Sequence, residues 1–295
     1  MKLLTVCFDS VGWKSVILDP PPYFASLMED HPCGRLFSTR IPHTIPAAFA
    51  VYEGIDRSED WSKGFNWNTS WYNAKRPMIF DFLAKKGVTM GLVSLPLSAP
   101  VRPYKNFVLG TWMKDRKTEK LGEKTIFYPP QVEEIVGEHK GCILRELGVE
   151  QYAELVNKPF KGLRESKKLA RHRLDNFLTL NKWKPVDFGF LYFDFTDRMG
   201  HVIRPDSKVL PLVMKLSDEL LSRVVKETNP QHVLVYSDHG WGFFETEYHF
   251  HAPTGFYIYT GREGARHKAR IVDIAPTILK EFGVKAPNYF EGKPL

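Results

Sequence analysis

Three apolar runs that each end at a carboxylate constrain this chain more than any other feature. LLTVCF at 3–8 stops at Asp9. FGFLYF at 188–193 leads into DFTDRMGH, which carries Asp197 and His201, and HVLVYS at 232–237 runs into Asp238 and His239 of DHG. Short runs without polar alternation read as strands buried on both faces, as in parallel sheets covered by helices. Ligands of such open α/β sheets bind beyond the carboxyl ends of the strands. His251, in HFHAPTG, lies shortly downstream of the third run. Three carboxylates and three imidazoles arriving at one sheet edge make up the donor inventory of a two-metal site.

Any one of these residues has an ordinary reading. A lone Asp after a strand is commonly a helix cap, and a lone His is commonly a surface or hydrogen-bonded core residue. Their joint arrival at three strand ends outweighs that reading. Within DFTDRMGH, Asp197 and His201 are four residues apart, a spacing that puts both on one face of a helix, and Gly200 permits a close backbone approach.

The segments between strand-like runs at 3–8, 88–94, 188–193, 232–237 and 255–259 carry helical patterns. RPMIFDFLAKKG at 76–87 places Met78, Ile79, Phe82 and Leu83 on one face and stops at Gly87. The segment 206–228, capped by Asp206 or Ser207, aligns Leu210, Val213, Leu216, Leu220 and Val224, and a further helix at 273–283 tolerates Pro276 in its first turn. This alternation predicts an α/β fold with a mostly parallel central sheet and helices on both faces. With 295 residues, 43% of them hydrophobic, the chain supports one large domain over 1–295. The stretch at about 98–185 breaks the rhythm and reads as a helical and loop insertion that caps the sheet edge.

A nucleophile candidate stands in STRIPHTIPAAFAVYEG. IPAAFAVYEG reads as a short helix with Pro46 in its first turn and Gly54 at its end, which puts Thr44 at or near the N-cap. A hydroxyl there faces unpaired backbone N–H groups and the positive end of the helix dipole, a seat for phosphate, although Thr at this position is most often only a cap. Downstream, Trp61, Phe65, Trp67, Trp71 and Tyr72 can stack on a base or pack in a core, and packing is the commoner use. In KGLRESKKLARHR, Lys161, Arg164, Lys168 and Arg171 share a helical face; they either steer an anionic substrate or form a solvated surface.

Taken in order, Asp9, the Thr44 segment, YPPQVEEI at 128–135, FTDRMGH at 195–201, VYSDHG at 235–240, HAPTG at 251–255 and the closing IVDIAPTILKEFGVKAPNYFEGKPL span nearly the whole chain. The set resembles the alkaline phosphatase superfamily and, within it, the type I phosphodiesterase / nucleotide pyrophosphatase group and its predicted phosphohydrolase relatives. The resemblance implies one divalent ion held by Asp9, Asp238 and His239 with Thr44 beside it, and a second held by Asp197, His201 and His251. It also implies zinc first, with manganese or iron as alternatives, and Thr44 as the nucleophile. His249 and His251 are two residues apart, and geometry alone does not choose between them. The family pattern His-x-Pro-x-Gly favours His251 as the ligand, leaving His249, with Lys168 and Arg171, as candidate substrate contacts. The chain departs from the pattern at Ser10, where relatives usually have Gly, at Ala48, where Trp is common, and at Glu53, where Thr is common.

The resulting expectation is a two-metal phosphoric-ester hydrolase of the phosphodiesterase type that works through a phospho-threonine intermediate. The alternatives are a monoester phosphatase, phosphomutase, phosphonate hydrolase or sulfatase on the same residues, or a non-catalytic scaffold binding an anionic ligand. The net charge of +7 favours a small anionic partner such as a phosphate ester or nucleotide, without implying a stable nucleic-acid complex. Cys7, Cys33 and Cys142 are too scattered for a disulfide framework and read as reduced thiols. The apolar start breaks at Asp9 after six residues, short of the ~7–15 residues of a secretion signal core, and no run reaches the ~20 residues of a membrane span. A cytoplasmic protein with no membrane partner is expected.

Overall fold

The continuous apolar run at 3–8 becomes the centre of the sheet. Strand β1 (Leu3–Phe8) is buried at every position and pairs in parallel with β6 (Phe188–Phe193) on one side and β7 (His232–Tyr236) on the other. The computed structural model describes residues 1–63, 71–111, 126–137, 158–203, 208–241, 251–262 and 268–295. Among these, nine strands form one sheet. It includes β2 (Cys33–Phe37), β3 (Met90–Val93), β4 (Asn106–Leu109), β5 (Phe127–Tyr128), β8 (Thr254–Tyr259) and β9 (Lys268–Arg270), in the order β5-β4-β3-β6-β1-β7-β8-β2-β9. Seven strands run one way; β5 and β8 run against them.

Alternation along the strands divides the core in two. Leu3, Cys7, Phe188, Phe190, Leu234 and Tyr236 face a layer containing α3 (Thr44–Glu53), α5 (Ile79–Lys85) and α10 (Ile274–Glu281). Leu4, Val6, Phe8, Leu191, Phe193, Val233 and Val235 face the other layer. There lie α1 (Trp13–Ile17), α2 (Pro22–Asp30), α7 (Pro159–Trp183), α8 (Phe195–Val202) and α9 (Leu210–Thr228). Two shorter helices, α4 (Ser58–Ser62) and α6 (Gln131–Val136), complete the described set.

Several expectations are modified. Strand β8 is antiparallel to β7, a direction that a buried apolar run does not encode. The stretch 98–185 supplies the sheet edge through β4 and β5 and a face-packing helix through α7, with residues 112–125 and 138–157 outside the described set. These strands were not expected because NFVL and FY are too short to show a period. Helix α9 starts at Leu210 with Pro211 in its first turn; Asp206 and Ser207, the expected caps, lie outside the described residues. Trp71 is fully buried against Tyr52, Phe80 and Tyr104, so it serves the core, whereas Tyr72 is exposed under the Arg102 guanidinium. Trp61 falls in α4, and Phe65 and Trp67 lie outside the described residues.

A charged knot fixes α7 and α8 to the end of β6. The Asp194 carboxylate takes Arg173 of α7 on one oxygen and Arg198 of α8 on the other, with both guanidiniums buried. Burial pushes the Asp194 carboxyl up, but Arg173 and Arg198 outweigh it and hold it at about 2. A carboxyl depressed below its unfolded value of ~3.9 contributes stability above that pH and loses it as pH falls through about 2. Asp194→Asn strands two buried cations and is expected to cost ~3–5 kcal/mol at pH 7. Urea denaturation of parent and variant should show that gap, and the gap should narrow below pH ~3 as the parent carboxyl protonates.

Candidate active site

The three central strands deliver their carboxylates side by side. Asp9 and Asp238 continue the alternation of β1 and β7 towards the α3 layer, and both are almost fully buried. Asp197 sits in the first turn of α8, and His201 follows one turn later, with Nε2 at 3.4 Å from Asp197 Oδ1. This is the four-residue face read from DFTDRMGH. Gly200 makes room for Trp241, since a Cβ there would lie 2.2 Å from the indole. His251 precedes β8, and because β8 runs backwards its start lies at the same edge as the ends of β1, β6 and β7. Gly255 permits this close pairing: a Cβ there would lie 2.1 Å from the Ser237 carbonyl oxygen.

The donor atoms gather into two overlapping groups, Asp9–Asp238–His239 and Asp197–His239–His251, in each of which they lie within 4.8 Å of one another. His239 Nε2 is 3.4 Å from Asp9 Oδ1 and 3.5 Å from Asp238 Oδ2. His251 Nε2 is 3.2 Å from Asp197 Oδ1 and 3.3 Å from His201 Nε2, so by distance His201 joins the second group from its more exposed side. The His239 and His251 rings stack with centroids 4.0 Å apart. His251 Nδ1 donates to the Pro42 carbonyl at 3.1 Å, which orients the ring with Nε2 facing the cluster.

Electrostatics make this cluster a cation seat. Burial and the neighbouring charges of Asp238 and Asp197 hold the Asp9 carboxyl well above the usual range. Burial raises Asp238 to about 6, and Asp197 adds to that rise. His239 is held neutral, first by burial and then by the facing His251. Asp197 is the exception: burial raises it, but His201 and His251 bring it well below normal, and His201 rises in response. Asp9 Oδ1 is buried without a hydrogen-bond partner. An orphaned carboxylate oxygen, neutral imidazole nitrogen and three crowded acids are a donor set that suits divalent cations such as zinc.

Thr44 Oγ1 lies 3.3 Å from His239 Nε2 and 3.5 Å from Asp9 Oδ2. It is the first residue of α3 rather than its cap. The cap is His43, whose Nδ1 accepts from Ile45 N–H at 3.3 Å. Pro46 has no N–H and Ala47 N–H bonds the His43 carbonyl, so Thr44 N–H is the one N–H of that turn without a partner among the described residues. The helix end is therefore a thinner anion seat than its sequence implies.

Other expected residues fall elsewhere. Lys168 and Arg171 lie on the outer side of α7 at 71% and 44% exposure, Lys168 near Glu165 and Arg171 paired with Glu219 of α9, the arrangement of a solvated face. His249 lies outside the described residues. Three contributors escape sequence reasoning. Tyr192 O–H reaches Asp238 Oδ2 at 3.5 Å, His43 caps α3, and the Ser10 hydroxyl joins Asp197 to His239. The lone Tyr in FGFLYF is the one signal that pointed to the first.

A family model for type I phosphodiesterase / nucleotide pyrophosphatase matches residues 43–253. No curated protein sequence matches the chain. The structure is similar to human ectonucleotide pyrophosphatase / phosphodiesterase 5, with a TM-score of 0.62 at 12% identity over 99% of this chain and 97% of that one. It is also similar to a phosphonate monoester hydrolase from Silicibacter pomeroyi (TM-score 0.60, 15% identity, 100% and 75% covered). A variant of alkaline phosphatase PafA compares at TM-score 0.58 and 13% identity, with 99% and 98% covered. The fold is that of the alkaline phosphatase superfamily, whose members generally depend on two metal ions. The chain belongs to the type I phosphodiesterase / nucleotide pyrophosphatase family and is a phosphoryl or sulfuryl hydrolase.

The crowding of acids has a measurable consequence in chelator-treated protein. Asp238, raised to about 6 from an unfolded ~3.9, contributes stability below the lower value and withdraws it as pH rises through the upper. Asp238→Asn should therefore melt higher than the parent at pH 7.5, by an amount on the order of 2 kcal/mol, keep about half of that advantage at pH 5 and lose the rest only below pH ~4. Thermal melts of both proteins in chelator across that range check it; a variant less stable than the parent at pH 7.5 contradicts it.

Proposed function

We propose that this protein is a two-metal phosphoric-ester hydrolase of the phosphodiesterase type and that it works through a covalent phospho-threonine intermediate. The observation that carries the reading is the position of the Thr44 hydroxyl between Asp9 and His239, at the mouth of the two donor groups. Asp9, Asp238 and His239 would hold one ion beside Thr44, and Asp197, His201 and His251 the other. When bound, divalent ions lower the pKa of a coordinated hydroxyl and neutralise charge on the attacking and leaving oxygens. With one N–H of its first turn unpartnered among the described residues, α3 supplies little of that neutralisation itself.

Thr44 Oγ1 attacks phosphorus in line, forming a new P–O bond as the bond to the leaving alkoxide breaks. Water then displaces Thr44 in a second in-line step, and the two inversions give net retention. A doubly charged monoester calls for a guanidinium fork on its phosphoryl oxygens; the match to the type I phosphodiesterase / nucleotide pyrophosphatase model supports a singly charged diester instead. Murine ectonucleotide pyrophosphatase / phosphodiesterase 5, of similar fold, has been seen in complex with AMP, which supports a nucleotide as one substrate to try.

A cytoplasmic setting belongs to the same proposal, supported by the free thiols of Cys7 and Cys33. No helix among the described residues is long and apolar enough to cross a membrane.

Thr44→Ala should lose turnover of an aryl phosphodiester by at least ~10³-fold while changing stability little, because His43 and not Thr44 caps the helix. Thr44→Ser should retain part of the rate. A Thr44→Ala protein with most of its activity would rule out the covalent route. Elemental analysis of zinc-loaded protein should find two ions per chain, and fewer in Asp197→Asn and Asp238→Asn. Parallel assays on a monoester, a phosphonate ester and a sulfate ester decide the substrate class.

A further inference from the structure

Ser10 occupies a position that favours glycine, and it uses its side chain there. Its φ of 65° is left-handed, a region L side chains rarely adopt, and the residue is completely buried. The Ser10 hydroxyl donates to Asp197 Oδ1 at 2.6 Å and lies 2.8 Å from His239 Nδ1, while its backbone N–H reaches Asp238 Oδ1 at 3.3 Å. A hydroxyl has one proton. With that proton on an acceptor-only carboxylate, the bond to His239 runs the other way, so Nδ1–H donates to Ser10 Oγ. His239 Nε2 is then the lone-pair nitrogen, directed at Asp9, Asp238 and Thr44.

One hydroxyl thus touches a member of each donor group, Asp197 on one side and His239 on the other. We infer that Ser10 is a positioning residue that sets the spacing of the two metal sites and the orientation of His239, and that a single substitution there weakens both ions together. The inference rests on the two-metal reading above. Tyr192 provides the contrast, since its hydroxyl reaches Asp238 and Asp9, both members of the first group. Partners that orient metal ligands contribute ~10–100-fold to affinity.

The test is zinc titration of chelator-stripped full-length protein against a competing chromophoric chelator, with parent, Ser10→Gly, Ser10→Ala and Tyr192→Phe side by side. Ser10→Gly keeps the backbone N–H and adopts the left-handed φ without strain, so its zinc-free melting curve serves as the folding control. The expected result is ~10-fold or greater loss of affinity for both ions in Ser10→Gly and Ser10→Ala, and loss at one ion in Tyr192→Phe. Two ions bound by Ser10→Gly with parental affinities, or a loss confined to one, overturns the role of Ser10 and leaves the two-metal reading standing. A parent that takes up no zinc overturns that reading, and the inference with it.

Discussion

Mutual repulsion among Asp9, Asp197 and Asp238 is the constraint around which the rest is arranged. Three acids buried at one sheet edge do not share it as ordinary carboxylates. Burial and neighbouring charge raise Asp9 and Asp238 above the usual carboxylate range, whereas His201 and His251 hold Asp197 well below it. The surrounding structure resists this stress with apolar mass. Strands β1, β6 and β7 are packed between two helical layers, and the Asp194 knot holds α8, which carries Asp197, to the end of β6. A site that stores electrostatic strain in its metal-free form is one that gains affinity for cations when the strain is released.

Much of this was legible in the chain because burial on both faces leaves a plain signature. Asp9 and Asp238 stand out because uninterrupted Leu, Val and Phe precede them, and Asp197 with His201 because a four-residue spacing on a helix has a fixed geometry. Thr44 was recognisable from the Pro and Gly that bracket its helix. What escaped depends on information that sequence periodicity does not hold. A strand's alternation is the same in either direction, so nothing marked β8 as antiparallel. Two adjacent residues, His43 and Thr44, are both competent caps, and only the fold shows the imidazole taking the Ile45 N–H.

Ser10 illustrates the limit most clearly. A polar residue after a strand is unremarkable in a one-dimensional reading, and only its departure from the usual Gly drew notice. Its meaning comes from a dihedral angle and from residues 187 and 229 positions away in the chain. The basic face of α7 shows the converse. Lys168 and Arg171 were conspicuous as charge, but Glu165 and Glu219 beside them reduce the stripe to an ordinary surface.

The reversed direction of β8 carries a further implication. Gly240 and Ala252 exchange backbone hydrogen bonds at 2.9 and 2.8 Å, closing the base of the segment that joins His239 to His251. That segment leaves and returns at the same point beside the acids, with its ends pinned by the sheet. Lengthening a loop whose ends are already fixed adds little entropy cost, about 0.6 kcal/mol per doubling. The length and composition of the intervening chain are thus free to drift while the paired Gly240 and Ala252 keep His239 and His251 in register beside the acids.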